Sequence, residues 1–125
     1  MSPIVGPMAE AARSLETFPA PAHVETVKFA SDELTSLCPL TGQPDFNSIE
    51  ILYAPDRRCI ESKSLKLYLW SFRDEGAFVE TLAATVASDV FDATEARWVQ
   101  VTITQHVRGG IVTTAVARRE RAPSA

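Results

Sequence analysis

RWVQVTITQHVRGGIVTTAVAR, residues 97–118, sets the architecture. Trp98, Val99, Val101 and Ile103 begin a β-rich run, Arg108-Gly109-Gly110 is a tight turn, and the chain returns from Ile111 as a second strand. A Gly-Gly pair between two strand-like runs is a hairpin signal, because tight β-turns need the positive φ that glycine adopts at no steric cost. Working upstream, FNSIEILYAPD (46–56) puts Ile49, Ile51 and Tyr53 on one face by period-two alternation, and Pro55-Asp56 ends it. HVETVKFASDEL (23–34) sets Val24, Val27 and Phe29 among polar residues and reads as another strand. SLCPLTGQPD (36–45) carries two prolines and a glycine and reads as a loop. Between the strand pairs the spacing turns helical. Leu65, Leu69 and Phe72 recur in SKSLKLYLWSFRDEG (62–76), with Gly76 where a helix would stop. Val79, Leu82, Ala83, Val86 and Val90 make one apolar stripe in AFVETLAATVASDVFDAT (77–94). The order ββααββ predicts an α+β fold, an antiparallel sheet with two helices on one face. A lone four-stranded sheet has two open edges, so the pattern also predicts an oligomer in which sheets join, as a closed ring.

A chain of 125 residues is expected to make one domain. Hydrophobic residues at 46% and charged residues at 22% give a globular composition rather than a disordered one. The net charge of −4, from 12 basic and 16 acidic residues, disfavours a general nucleic-acid binder. No apolar run reaches the roughly 18 residues needed to span a bilayer. The start, MSPIVGPMAEAARSLETFPAP, lacks a basic region followed by an apolar stretch, which points to the cytoplasm. Pro3, Pro7, Pro19 and Pro21 suggest a flexible arm over residues 1–21, leaving a domain at 22–118 and a tail at 119–125. In a reducing compartment Cys38 and Cys59 are thiols; a single disulfide is the alternative in an oxidising one. His23, Cys38, Cys59 and His106 equal a zinc ligand set by count, but no pair has ligand spacing, so no metal is expected.

Three segments are unusual for a domain that merely folds. Cys38 stands in a loop seven residues before Asp45. A thiolate is a strong nucleophile and a nearby carboxyl group can carry the proton, although a buried structural cysteine beside a turn has the same local sequence. Lys63 and Lys66 share a helix face, where two ammonium groups repel unless an anion such as phosphate bridges them. A solvated basic face is the plainer reading. Arg108, beside Gly109 and Gly110, adds a cation near exposed backbone amides. Glu80 opens the second helix, where a carboxylate can hold adjacent N–H donors of a guanine-like base or simply complement the helix dipole.

Together these segments resemble the QueF family, the NADPH-dependent 7-cyano-7-deazaguanine reductases of queuosine biosynthesis. ESKSLKLY (61–68) is similar to the family signature, CPLTGQPDF (38–46) to its nucleophile loop, and SFRDEGAF and RGG fall at the expected places. The resemblance implies the tunnelling fold (T-fold), shared with GTP cyclohydrolase I, and a site between subunits in a homo-oligomer, two stacked pentamers. It implies Cys38 as nucleophile, forming a covalent thioimide, and Asp45 as proton donor. It implies Ile60, Glu61, Ser62, Val79 and Glu80 around the deazaguanine base, and Lys63, Lys66 and Arg108 on the phosphates of NADPH. No direct nucleic-acid or membrane partner is implied. The chain departs from the family at Val79, where relatives usually carry a histidine; valine has no proton to give. Two further readings share the pocket: an amidinotransferase that intercepts the thioimide with ammonia, and a non-catalytic deazapurine-binding module. The intact lysine signature favours reduction.

Overall fold

The structure, a computed structural model, describes residues 13–123. In chain order its elements are β1 (Thr17–Pro19), β2 (Val27–Leu37), β3 (Pro44–Ala54), β4 (Arg58–Ile60), α1 (Ser62–Trp70), α2 (Val79–Thr94), β5 (Trp98–Arg108) and β6 (Ile111–Glu120). The long strands form one antiparallel sheet in the order β2-β3-β5-β6. Period-two alternation does the sorting: Ile49, Ile51 and Tyr53 on β3 and Val99, Val101 and Ile103 on β5 all face the core. The five residues of the α2 stripe, Val79 to Val90, are buried as well, against β5 and β6, while α1 packs against β2. This is the α+β arrangement that the sequence predicts. Among the described residues no helix is long and apolar enough to cross a membrane.

Four boundaries differ from expectation, each for a backbone reason. The expected loop at 36–45 narrows to 38–43, because Leu37 pairs with Pro44 and Ser36 with Asp45. The first strand starts at Val27 rather than His23, whose φ of 74° is incompatible with a strand. The first helix stops at Trp70 instead of running to Gly76. Residues 72–75 wind down through i+3 bonds such as Glu75 N to Phe72 O, 3.0 Å, after which the backbone is drawn into pairing with Leu37. Finally, β1 and β4 pair as a small ribbon that the sequence does not announce. Part of the stretch read as an arm is therefore β1, and part of the stretch read as a tail is the end of β6, at Glu120. The first 12 residues of that arm lie outside the described residues.

Two tyrosines join the layers. The Tyr53 hydroxyl on β3 accepts the Ile60 N–H at 2.8 Å, and burial pushes its pKa up to about 12. Tyr68 on α1 is fully buried, stacks edge-on against Phe72 at 5.1 Å and donates to Asp89 Oδ2 on α2 at 2.6 Å. Tyr68 thus ties the helices to each other. Tyr68→Phe is expected to lower stability by about 1.5–3 kcal/mol, the value of a hydrogen bond to a charged group, as read by urea unfolding.

Candidate active site

The β2–β3 hairpin closes through a compact loop. Cys38 N donates to Gln43 O and Gly42 N to Cys38 O, both at 2.8 Å. Gly42, at φ 72°, occupies the left-handed region that lets the chain reverse there. Cys38 is half-buried. The Thr41 hydroxyl, with the Thr41 and Leu40 amides, stabilises the thiolate and holds the thiol below its ordinary value of 9.0. Asp45 pushes the other way, since its charge disfavours the thiolate, which also shows that the two groups are electrostatic neighbours. Thr41→Val removes the leading stabilising contact. The expected result is a rise in the Cys38 pKa, so that less thiolate is present at neutral pH and iodoacetamide alkylation shifts to a more alkaline midpoint.

Burial singles out this end of the hairpin. Of the five buried polar residues among those described, Ser36, Asp45 and Asn47 all lie there, with Asn47 Nδ2 bonded to Ser36 Oγ at 3.4 Å. Buried polar groups cost stability unless they are satisfied, so their concentration beside a polarised thiol marks a site rather than a core. The backbone from Glu75 to Ala77 runs alongside. Leu37 N donates to Glu75 O at 2.8 Å and Ala77 N to Leu37 O at 3.1 Å. A Cβ at Gly76 would meet Pro39 Cα at 3.6 Å. This pairing brings the start of α2 toward the loop, with Val79 buried in the core and Glu80 exposed in the first turn.

A second group stands at the start of α1. Glu61 is the N-cap: its carboxylate accepts from Lys63 N at 2.8 Å and Ser64 N at 2.7 Å. Those two amides hold its carboxyl below the usual range, with the amide of Ser64 first. Ile60 is buried, and Ser62, Lys63 and Lys66 are exposed. Ser64, part of the signature run, turns inward: its hydroxyl donates to Glu61 O at 2.9 Å and accepts from Glu16 N at 3.0 Å. Among the described residues neither Lys63 nor Lys66 forms an ion pair, so the two ammonium groups stay available to an anion.

Within one chain the structure brings Cys38 together with Asp45, and Glu61 together with both lysines. Arg108 ends β5 at the hairpin, opposite Ile111, on a strand that neighbours β3 rather than β2. His106 on β5 lies 3.3 Å from Ser48 Oγ, among residues facing away from the helices. A cleft of about 830 Å³ runs along β2 beneath α1, walled by Phe29, Phe46, Leu65, Trp70, Ser62 and Lys66 among others. It follows the open edge of the sheet, and Cys38, Asp45 and Glu80 are not among its walls. Sequence reasoning missed Thr41 and the inward turn of Ser64. Thr41 sits in a Pro/Gly turn and Ser64 beside Ser62, and such hydroxyls look alike in solvent and in a site.

Comparisons with known proteins agree with one another. The family profile described as "QueF-like protein" matches residues 44–124. A protein of Alkalilimnicola ehrlichii named NADPH-dependent 7-cyano-7-deazaguanine reductase is 50% identical over 87% of this chain and 86% of its own length. One of the same name from Anaeromyxobacter sp. is 47% identical over 90% of this chain and 94% of its own. The crystal structure of the archaeosine synthase QueF-Like in the apo form superposes with a TM-score of 0.74 at 22% identity, covering 80% of this chain and 98% of that one. At that identity the likeness is one of fold.

Proposed function

This chain belongs to the QueF family, and on that premise we propose that it reduces the nitrile of 7-cyano-7-deazaguanine to the primary amine of 7-aminomethyl-7-deazaguanine, with NADPH, in queuosine biosynthesis. The observation that carries the reading is the polarised Cys38 thiol beside the buried carboxyl of Asp45. Cys38 sulfur adds to the nitrile carbon as Asp45 delivers a proton to the nitrile nitrogen, giving a thioimide. A nitrile becomes a primary amine by gaining two hydrides and two protons. NADPH, when bound, supplies the hydrides. Between the two reductions the carbon–sulfur bond breaks, the Cys38 sulfur leaves with the bonding pair, and an imine remains. The covalent step divides a difficult reduction and keeps the intermediate in place.

The residues present fit the cofactor. Lys63 and Lys66 offer unpaired cations on one exposed helix face, suited to phosphate oxygens. Arg108, at the β5–β6 turn, would join them as a third cation in the assembled ring. Glu80, with the backbone of Ile60 and Ser62, would hold the base, and Glu61 keeps spare lone pairs beyond those used in capping. The open edges of β2 and β6 and the cleft along β2 suit sheet joining between copies, in a ring of the kind the family resemblance implies. Val79 contributes packing rather than a proton, so Asp45 and water carry the proton transfers. The test is direct: mix the protein with 7-cyano-7-deazaguanine and follow NADPH absorbance. Two equivalents consumed per nitrile support the reading. An adduct that forms with no NADPH loss overturns it.

A further inference from the structure

Arg13 lies far from Cys38 in sequence, yet it braces the wall against which the Cys38 loop rests. Its guanidinium bonds the Ser71 hydroxyl and the Glu75 carboxylate, reaches Ser71 O at 3.3 Å, and lies over the Phe72 ring at 3.7 Å. Phe72 is fully buried, so the stack rests on a fixed platform. The clamped residues are those that wind down from α1 and lead into Glu75–Ala77, whose backbone grips Leu37 from both sides. Leu37 is the residue before Cys38, and Pro39, the residue after it, packs on Gly76. From the same short segment, Glu16 holds the Ser64 hydroxyl and accepts the Glu61 N–H at 2.9 Å. One strap thus touches both the nucleophile loop's support and the start of α1.

We propose that Arg13 is a positioning residue for Cys38, setting the nucleophile loop through the Glu75–Ala77 segment. The catalytic consequence rests on the reading of Cys38 as nucleophile; the geometric one does not. The contacts carry it: a forked donor anchors the side chain of Glu75, whose own backbone carbonyl holds the N–H of Leu37, the last residue before the loop. A misplacement of an ångström at a reacting atom costs up to about a hundredfold in rate, so a brace of this kind matters to chemistry before it matters to folding. Asp45, on β3, is the charged group that acts on the thiol, while the bracing segment carries Arg73, Asp74 and Glu75, the last paired with Arg13.

The test uses the full chain with Arg13→Ala, Arg13→Lys and Glu75→Gln. Each is checked for fold by circular dichroism, then for the pH profile of Cys38 alkylation by iodoacetamide and for kcat and KM separately. The alanine variant is expected to move the alkylation midpoint to higher pH and to lower kcat about tenfold, with KM for NADPH unchanged. Lysine is expected to rescue part of the loss, and Glu75→Gln to reproduce it. Glu75→Gln leaves every backbone bond in place, so it decides the matter if the alanine variant does not fold. A folded Arg13→Ala or Glu75→Gln protein with the wild-type alkylation profile overturns the proposal. A shifted profile in a protein without reductase activity supports the positioning role while removing the proposed function.

Discussion

Cys38→Ala is expected to abolish NADPH consumption with 7-cyano-7-deazaguanine, a fall of about 10³-fold or more, because losing a nucleophile removes the whole covalent route rather than one contact. The thioimide absorbance band should vanish with it. The thiol is half-buried in a loop whose backbone bonds run between Cys38, Gly42 and Gln43 N–H and C=O groups. Alanine leaves all of these in place. Stability should therefore change little, and a thermal scan beside the assay separates lost chemistry from lost fold. Cys59 is the internal control. It is buried on β4, opposite Phe18 of β1, and Cys59→Ala should keep reduction while costing some packing. If Cys38→Ala retained reduction, the sulfur would not be the nucleophile and the mechanism would be wrong at its first step.

What could be read in advance divides along physical lines. The α2 stripe was legible because five apolar residues repeat at helical spacing with no glycine or proline between them, and burial follows that spacing. The β5–β6 hairpin was legible from Gly109 and Gly110, which take φ of 59° and 80°. The nucleophile hairpin was not. Pro39, Gly42 and Pro44 suggested a long loop, but Pro44 sits first in β3, a position that tolerates a missing N–H. The β1–β4 ribbon was invisible because three-residue strands have no period; it forms through tertiary bonds such as Glu61 N to Glu16 O. At the site, the neighbourhood of Cys38 and Asp45 could be anticipated from a turn between them. The inward-facing Ser64 could not, since nothing local distinguishes it from the exposed Ser62 two residues earlier.

Asp45→Asn makes a finer cut than loss of the sulfur, because it keeps size and most hydrogen-bonding capacity while removing the acid. Asp45 is only 3% exposed, at the first turn of a strand pair that also buries Ser36 and Asn47, so a near-isostere is the change the site tolerates. An amide cannot deliver a proton to the nitrile nitrogen at neutral pH. Nitrile reduction is therefore expected to fall by about 10²–10⁴-fold, the usual loss on removing a general acid. The thiol should respond with the opposite sign. The Asp45 charge raises the Cys38 pKa, so removing it lowers that pKa and leaves more thiolate at neutral pH. Alkylation of Cys38 by iodoacetamide should then run as fast as in the wild type or faster, while reduction collapses. A purely structural role for Asp45 makes the two fall together, because a disordered loop would lose the Thr41 and Leu40 contacts that sustain the thiolate. Reduction within a few-fold of wild type would instead assign the proton to another donor, one other than Val79, which has none to give.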